Sequence, residues 1–551
     1  MPIASQHTTE DDLGEGPRPV GNWIPGSRSP AFDTAGIGAL LPRCREPLHV
    51  LAGHRGEVGV AVGGEVREGT GGPHRMLGSL PALYPEWLGD RSFCAAHGVR
   101  FPYVAGEMAN GIATTRMVVA MARAGLLGFF GAGGLGFERV ERAVDELRRE
   151  LGGHANWGAN LIHSPNEPEL EDRIADLLLR AGVPTICASA FADLTPAVVR
   201  CAVSGLRRGP DGRIVRRVRL FAKVSRPEVA ARFMSPAPAD LLETLLVRGQ
   251  ITQEERALAA LVPVAEDITV EADSGGHTDN RPLVSLLPTI IRLRNDRLRT
   301  FGDACHIRVG AAGGLGTPDG VAAAFALGAG YVVTGSVNQV AVESGMSEEA
   351  KSMLAQADIA DVVMAPAADM FEQGVKLQVL RRGTMFAGRA ALLYELYRDH
   401  PSLEAIPAAA RSRVERDLLR APIDQIWRET VDFWQRRDPR EIGRAEHDPK
   451  HRMALVFRWY LGNSSRWAID GEASRRMDYQ IWCGPAMGAF NRWVRGSFLA
   501  EVANRTVVQI ALNLLEGAAV LTRAHQARCC GVPVPAAFSF APRRLSPNAG
   551  A

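Results

Sequence analysis

The 551-residue sequence predicts an α/β protein built on a closed (β/α)8 TIM barrel, with a large helical C-terminal lid region and a small N-terminal β segment. Three observations lead there. Between Phe101 and Gly335, eight short apolar runs alternate with amphipathic stretches, the rhythm of βαβ units on a parallel sheet. The last two runs, within IRVGAAGGLGTPDGVAAAFALGAGYVVTGSVNQ (Ile307 to Gln339), each lead into a glycine turn. Phosphate sites after strands seven and eight, helped by a short extra helix, are a habit of closed barrels rather than of open sheets. After Ala341 the rhythm changes to long helical patterns.

Taken in order, residues 1–95 form an N-terminal segment, with SQHTTEDDLGEGPRP expected to be disordered and Leu48 to Val66 expected as a small β-hairpin or meander. Residues 96–344 are the barrel. Its strand runs are Phe101–Gly106, Leu127–Gly131, Asn156–Leu161, Pro184–Ser189, Arg219–Val224, Ile268–Ala272, Ile307–Ala311 and Tyr331–Gly335. Helical stretches lie between them, among them Ala113–Ala124, Phe137–Leu151, Glu169–Ala181, Leu283–Arg294 and Pro318–Leu327. Residues 345–530 read as mostly helical, with helices over Asp369–Arg382, Ala387–Tyr397, Ala408–Arg420, Ile423–Arg436, His451–Leu461 and Glu501–Leu521 and no further strand. That region is expected to close the barrel's flank and cover its mouth. Residues 531–551, rich in Pro and Ala, are expected to be a disordered tail.

Composition excludes several classes. Hydrophobic residues at 46% and charged residues at 23% are ordinary for a soluble globular protein, and a net charge of +2 gives no reason for nucleic acid or a membrane surface as main partner. Eight cysteines without a CxxC pair point to reduced thiols, a cytoplasmic protein and no cysteine metal site. No signal-like start and no run of the ~18–20 apolar residues of a membrane span are present.

The candidate chemistry lies at strand ends. Thr317 can cap, Pro318 suits the first helical position and Asp319 the first turn, so Gly313 and Gly314 with Gly335 and Ser336 could hold one phosphate between two turns. In ITVEADSGGHTDNRP, Gly275 and Gly276 bring the backbone close to something and His277 follows, able to donate or accept a proton. Its plainer reading is a turn histidine bonded to a carboxylate such as Asp279. Gly106 and Met108 follow strand one, Asn160 ends strand three and Lys223 ends strand five, which together suit a planar phosphorylated cofactor. Singly, Met108 reads as core, Asn160 as a turn residue and Lys223 as an ion-pair partner. Lys376, Arg381 and Arg382 share one expected helix and read as a solvated basic face. Cys187 reads as a buried small hydrophobe.

SGGHTDNRP, AAGGLGTPDG, VVTGSVNQ and FPYVAGEMANGIATTRMVVAMARAG together resemble the nitronate monooxygenase-like FMN barrels. More narrowly the chain looks like the PfaD-type enoyl reductases that act in trans with polyunsaturated fatty acid and polyketide synthases, from about Glu46 to Arg528. MAPAADMFEQGVKLQVLRRGTMFAGRA and RWYLGNSSRWA carry that part of the likeness. The resemblance implies FMN at the barrel mouth, its phosphate between the Gly313–Gly314 and Gly335–Ser336 turns, and His277 facing the flavin. It implies NADPH as reductant and hydride delivery from flavin N5 to the β-carbon of a 2-enoyl thioester on an acyl carrier protein. The α-carbon proton then comes from His277 or water. A homodimer is a further implication. The alternatives are a flavin oxidase of the nitronate monooxygenase type, with His277 as base, and a non-catalytic barrel scaffold in a synthase complex.

Overall fold

In the computed structural model, residues 19–69, 72–165, 167–301 and 306–547 are described. The chain divides into two compact units, Met1–Leu88 with Glu516–Phe540 and Gly89–Leu515 with Ala541–Ala551.

The larger unit is organised by eight parallel strands: Tyr103–Ala105, Leu127–Phe130, Trp157–Ile162, Thr185–Ser189, Arg219–Val224, Asp267–Glu271, Arg308–Ala312 and Val332–Thr334. Their hydrogen bonds close a barrel, with the ring completed between the eighth strand and the first (Val333 opposite Val104). All eight sit within about two residues of the predicted runs. Most of their side chains are buried, because helices cover the outside while Phe129, Cys187, Phe221, Tyr331 and Val333 fill the inside.

The helix Arg91–His97 supports the end of the barrel where the strands begin. Its Phe93 ring stacks on Tyr331 at 4.4 Å, and His97 Nε2 lies 3.0 Å from Asp267 Oδ2. Asp267, the first residue of strand six, also accepts from Arg308 Nε at 2.6 Å and from the same guanidinium at 2.8 Å. Strand seven therefore starts at Arg308, one residue later than predicted. Burial alone would raise the Asp267 carboxyl, but His97 and Arg308 outweigh it and hold the group well below the usual carboxylate range.

After the barrel the structure departs from the all-helical expectation. Val362–Pro366 and Lys376–Leu380 form an antiparallel hairpin, and the second strand pairs with Gly276–His277 to make a three-stranded sheet. The helix predicted over Asp369–Arg382 does not exist. VKLQVL alternates at the strand period: Leu377 and Val379 enter a hydrophobic core with Phe386, Leu393, Phe457 and Tyr460, while Gln378 faces the His277 loop. Lysine, leucine and glutamine are good helix formers, and that propensity hid the alternation. Lys376 thus begins a strand and Arg381 and Arg382 follow its end, so the three share no helix face.

Helices do dominate the remainder. Phe386–Asp399, Ile423–Arg437 and Pro449–Asp470 surround that core, the last capped by Asp448 and stopped by Gly471. The predicted helix from Glu501 begins later, at Val507, because Phe498–Ala500 and Val502–Asn504 are 3-10 turns. Val507–Cys529 is long and apolar enough to cross a membrane by length and composition, contrary to the expectation of no such run, but 78% of that window is buried within the protein.

In the smaller unit the expected hairpin is a five-stranded antiparallel sheet, in the order Val58–Val62, Leu48–Ala52, His74–Leu80, Gly21–Ile24, Glu65–Arg67. Ala524 and Ala527 pack against its Leu48, Val50 and Val60. The tail expected to be disordered is described to residue 547, with Val532 and Phe540 buried. The disorder expected of SQHTTEDDLGEGPRP lies outside the described residues. None of the seven described cysteines forms a disulfide.

Replacing Asp267 by Asn should cost about 3–5 kcal/mol at neutral pH, because a buried guanidinium loses its counter-charge. A group with a depressed folded pKa contributes stability above its unfolded value, near pH 4, that is lost as pH falls. Urea titrations at several pH values should therefore show the variant's deficit shrinking towards acid.

Candidate active site

The C-terminal ends of the strands converge on a charged cluster. Glu107, just past strand one, lies 2.9 Å from the Lys223 ammonium of strand five, and Glu271, at the end of strand six, lies 3.3 Å from it on another side. Glu107 Oε1 also accepts from Ser189 Oγ at 2.6 Å and from Cys187 Sγ at 3.5 Å. Burial pushes the Glu107 carboxyl up, yet Lys223 and Ser189 bring it below its ordinary value. Burial opposes the Lys223 charge too, and the two carboxylates more than restore it. Lys223 is thus an engaged cation between two anions. Nothing in the sequence joins Glu107 and Glu271 to Lys223, since only barrel closure brings strands one, five and six together.

The glycines divide into two kinds. A Cβ on Gly275 would stand 2.8 Å from the backbone nitrogen of Cys483, and one on Gly316 would stand 2.0 Å from Ala486 O. These two make room for the chain's own C-terminal region. Gly313, at φ +85°, lies against the carbonyls of Ala272 and Asp273, and Gly106 N donates to Thr334 O at 2.9 Å in a contact a side chain would disturb. Gly314 and Gly335 are different, because a Cβ at either would meet nothing within 4 Å. Among the described residues, the amides of Gly314, Leu315 and Gly335 find no backbone acceptor. Thr317 caps Pro318–Ala326 by accepting from Gly320 N, and Ser336 Oγ accepts from Gly484 N at 3.2 Å. The two neighbouring turns thus combine open space at Gly314 and Gly335 with amides that have no backbone acceptor, an arrangement able to receive an anion.

Asn160 Oδ1 accepts from the amides of Ala132 at 2.7 Å and Gly133 at 3.2 Å, bracing the turn after strand two. Met108 is buried, and its carbonyl lies where a side chain on Gly131 would have to go.

Gly276, at φ +82°, and His277 form the short strand held by Lys376–Leu380. Gln378 Nε2 reaches back across that seam to Asp273 Oδ1 and Ser274 O, both at 2.8 Å. His277 Nε2 lies 3.1 Å from Asp369 Oδ1, while Asp279 bonds instead to Ser225 Oγ at 2.7 Å. Crowding by neighbouring atoms lowers the imidazolium's stability, but Asp369 and Glu271 outweigh this and the opposing Lys223, so the pKa is raised above 6.5. Asp369 was invisible as a partner, being 92 residues away and assigned to a helix start. No group of three or more His, Cys, Asp or Glu suited to a metal occurs among the described residues.

Residues 91–410 match the family model described as nitronate monooxygenase. The chain belongs to the nitronate monooxygenase family. Residues 400–479 also match the inserted helical domain of [acyl-carrier-protein] S-malonyltransferase. The chain is 49% identical over 448 residues to one of the polyunsaturated fatty acid synthase subunits of a Thraustochytrium species, covering 80% of this chain and 30% of that protein. It is 44% identical over 436 residues to polyketide biosynthesis protein PksE of Bacillus subtilis, covering 79% and 56%. The chain therefore spans less than two thirds of either relative's own length. The crystal structure of the enoyl reductase domain of MlnA, from the macrolactin cluster of Bacillus amyloliquefaciens, matches with a TM-score of 0.77 and 34% identity, over 80% of this chain and 99% of that domain. These likenesses place the chain with the PfaD-type enoyl reductases inside the nitronate monooxygenase family.

Replacing Lys223 by Met should leave two carboxylates facing each other and cost about 3–5 kcal/mol. Adding Glu107→Gln should recover at least ~1 kcal/mol of that loss, a coupling that a double-mutant cycle in denaturant would measure.

Proposed function

We propose that this protein is an FMN-dependent enoyl reductase that saturates 2-enoyl thioesters held on acyl carrier protein during polyketide or polyunsaturated fatty acid synthesis, acting in trans to the synthase. The observation carrying this reading is the match to one enoyl reductase domain along nearly its whole length, at an identity well above that of a shared fold alone.

The residues present fit FMN. The amides of Gly314, Leu315 and Gly335 have no backbone acceptor, and the space beside Gly314 and Gly335, where a Cβ would meet nothing within 4 Å, suits a phosphate that a side chain there would displace. When bound, FMN would supply hydride transfer, with electrons from NADPH delivered to the β-carbon of the enoyl thioester. The chain's own part is positional and acid–base. Glu107, Lys223 and Glu271 lock the ends of strands one, five and six, so the mouth keeps one shape. His277 holds the proton that the α-carbon requires. The helical half, whose likeness to an acyltransferase insert extends over residues 400–479, offers the surface for a carrier-borne substrate. Work in the cytoplasm and pairing into a homodimer accompany this reading.

The purified protein should be yellow and release equimolar FMN on denaturation. Without air, NADPH should bleach it, and a crotonyl or longer enoyl thioester of acyl carrier protein should restore the colour. Recovery with a nitronate but not with enoyl thioesters would overturn the reductase in favour of an oxidase, and a colourless protein would favour a scaffold. Gly335→Val, at a residue with φ −124°, should keep the circular dichroism spectrum and weaken FMN binding roughly 100-fold, about 2.7 kcal/mol.

A further inference from the structure

The hairpin that replaces the expected helix does more than pair with the His277 strand. Its connecting loop, residues 367–375, carries Asp369, whose Oδ1 is 3.1 Å from His277 Nε2 and is itself fixed by Met370 N at 3.1 Å. No partner for His277 Nδ1 is found among the described residues. Both side chains keep contact with water, at 42% and 61% exposure, although surrounding atoms crowd the pair.

We propose that Asp369 is the positioning residue for His277: by accepting the Nε2 proton it fixes the ring so that Nδ1–H is the proton given to the substrate's α-carbon. This rests on the enoyl reductase reading above. The step balances simply. The Nδ1–H bond breaks as the α-C–H bond forms, the imidazolium becomes a neutral imidazole that keeps Nε2–H against Asp369, and solvent returns a proton to Nδ1. The active site is therefore composite, with its acid on the barrel and the group that orients the acid on the helical half.

The charges around the pair are consistent with this assignment. Glu271 and Lys223 act on His277 from the strand ends with opposite signs, and Lys376 stands exposed next to Leu377, which lies opposite His277. Behind Asp369 is a cavity of about 170 Å³, lined by Glu372, Asp438, Glu441 and His451 with Arg444 and Arg458. One water needs roughly 10–15 Å³, so the cavity has room for water beside Asp369. Burial pushes the Asp369 carboxyl up, yet His277 and the backbone hydrogen bond from Met370 hold it below its ordinary value. Within it, His451 Nε2 is 2.9 Å from Glu441 Oε2 but off the hydrogen-bond line, and Arg458 pairs with Glu372 at 3.3 Å.

The test needs no turnover. In the full chain labelled with isotopic histidine, the His277 ring resonance, assigned through His277→Gln, should titrate above 6.5 with its neutral form protonated at Nε2. Asp369→Asn should lower that midpoint by roughly one pH unit and mix the tautomers. Asp369→Glu should restore most of the shift, and Glu372→Gln should leave it nearly unchanged. An unaltered His277 titration and tautomer in Asp369→Asn would overturn the proposal. In stopped flow, the reoxidation of reduced enzyme by an enoyl thioester should lose rate at lower pH in Asp369→Asn, with the NADPH step unchanged. If the wild-type enzyme is not reoxidised by enoyl thioesters, the reductase reading fails, whereas the resonance data still decide the His277–Asp369 pair.

Discussion

The mouth of this barrel depends on the close passage of one piece of backbone. Gln480 to Ala486, far along the chain, runs between the sixth, seventh and eighth strand ends, near enough to Gly275 and Gly316 that no side chain could stand there. Gly484 N meets Ser336 Oγ, and Gln339 donates to Trp482 O at 2.5 Å, so the same segment is tied to the turn after strand eight. Backbone packed this tightly has few ways to shift. The His277 loop, the two glycine turns after strands seven and eight and the helical half consequently hold one another in place.

Much of the barrel was legible because its signals are local. Short apolar runs, prolines at first helical positions and threonine caps predict strands and helix starts without knowledge of the partner, as at Arg219–Val224, Phe137–Leu151 and Thr317. The hairpin of Val362–Pro366 and Lys376–Leu380 was missed for the opposite reason. Its residues become a strand only through pairing with Gly276–His277 and burial against Phe386 and Phe457, both of which are tertiary facts.

The candidate site was legible in the same uneven way. Gly314, Gly335 and His277 could be placed at strand ends from sequence order alone, because every C-terminal strand end faces the same side of a closed barrel. Which glycines approach a ligand and which approach protein could not be read, since both need the missing side chain. Gly275 proved to be of the second sort and Gly335 remained open. Ion pairs were similarly hidden: Lys223 sits between Glu107 and Glu271 through barrel closure, and Asp369 reaches His277 across a sheet that no local pattern announces.

The three-stranded sheet also limits how the molecule could be shortened. Cutting the chain after strand eight would strip Gly276–His277 of its neighbour and bare the backbone edge that Lys376–Leu380 now covers. It would also uncover the channel that Gly275 and Gly316 leave for Cys483 and Ala486. Unpaired strand edges recruit other chains, so the isolated barrel would be a sticky fragment. Barrel and helical half are, in that sense, a single inheritable part.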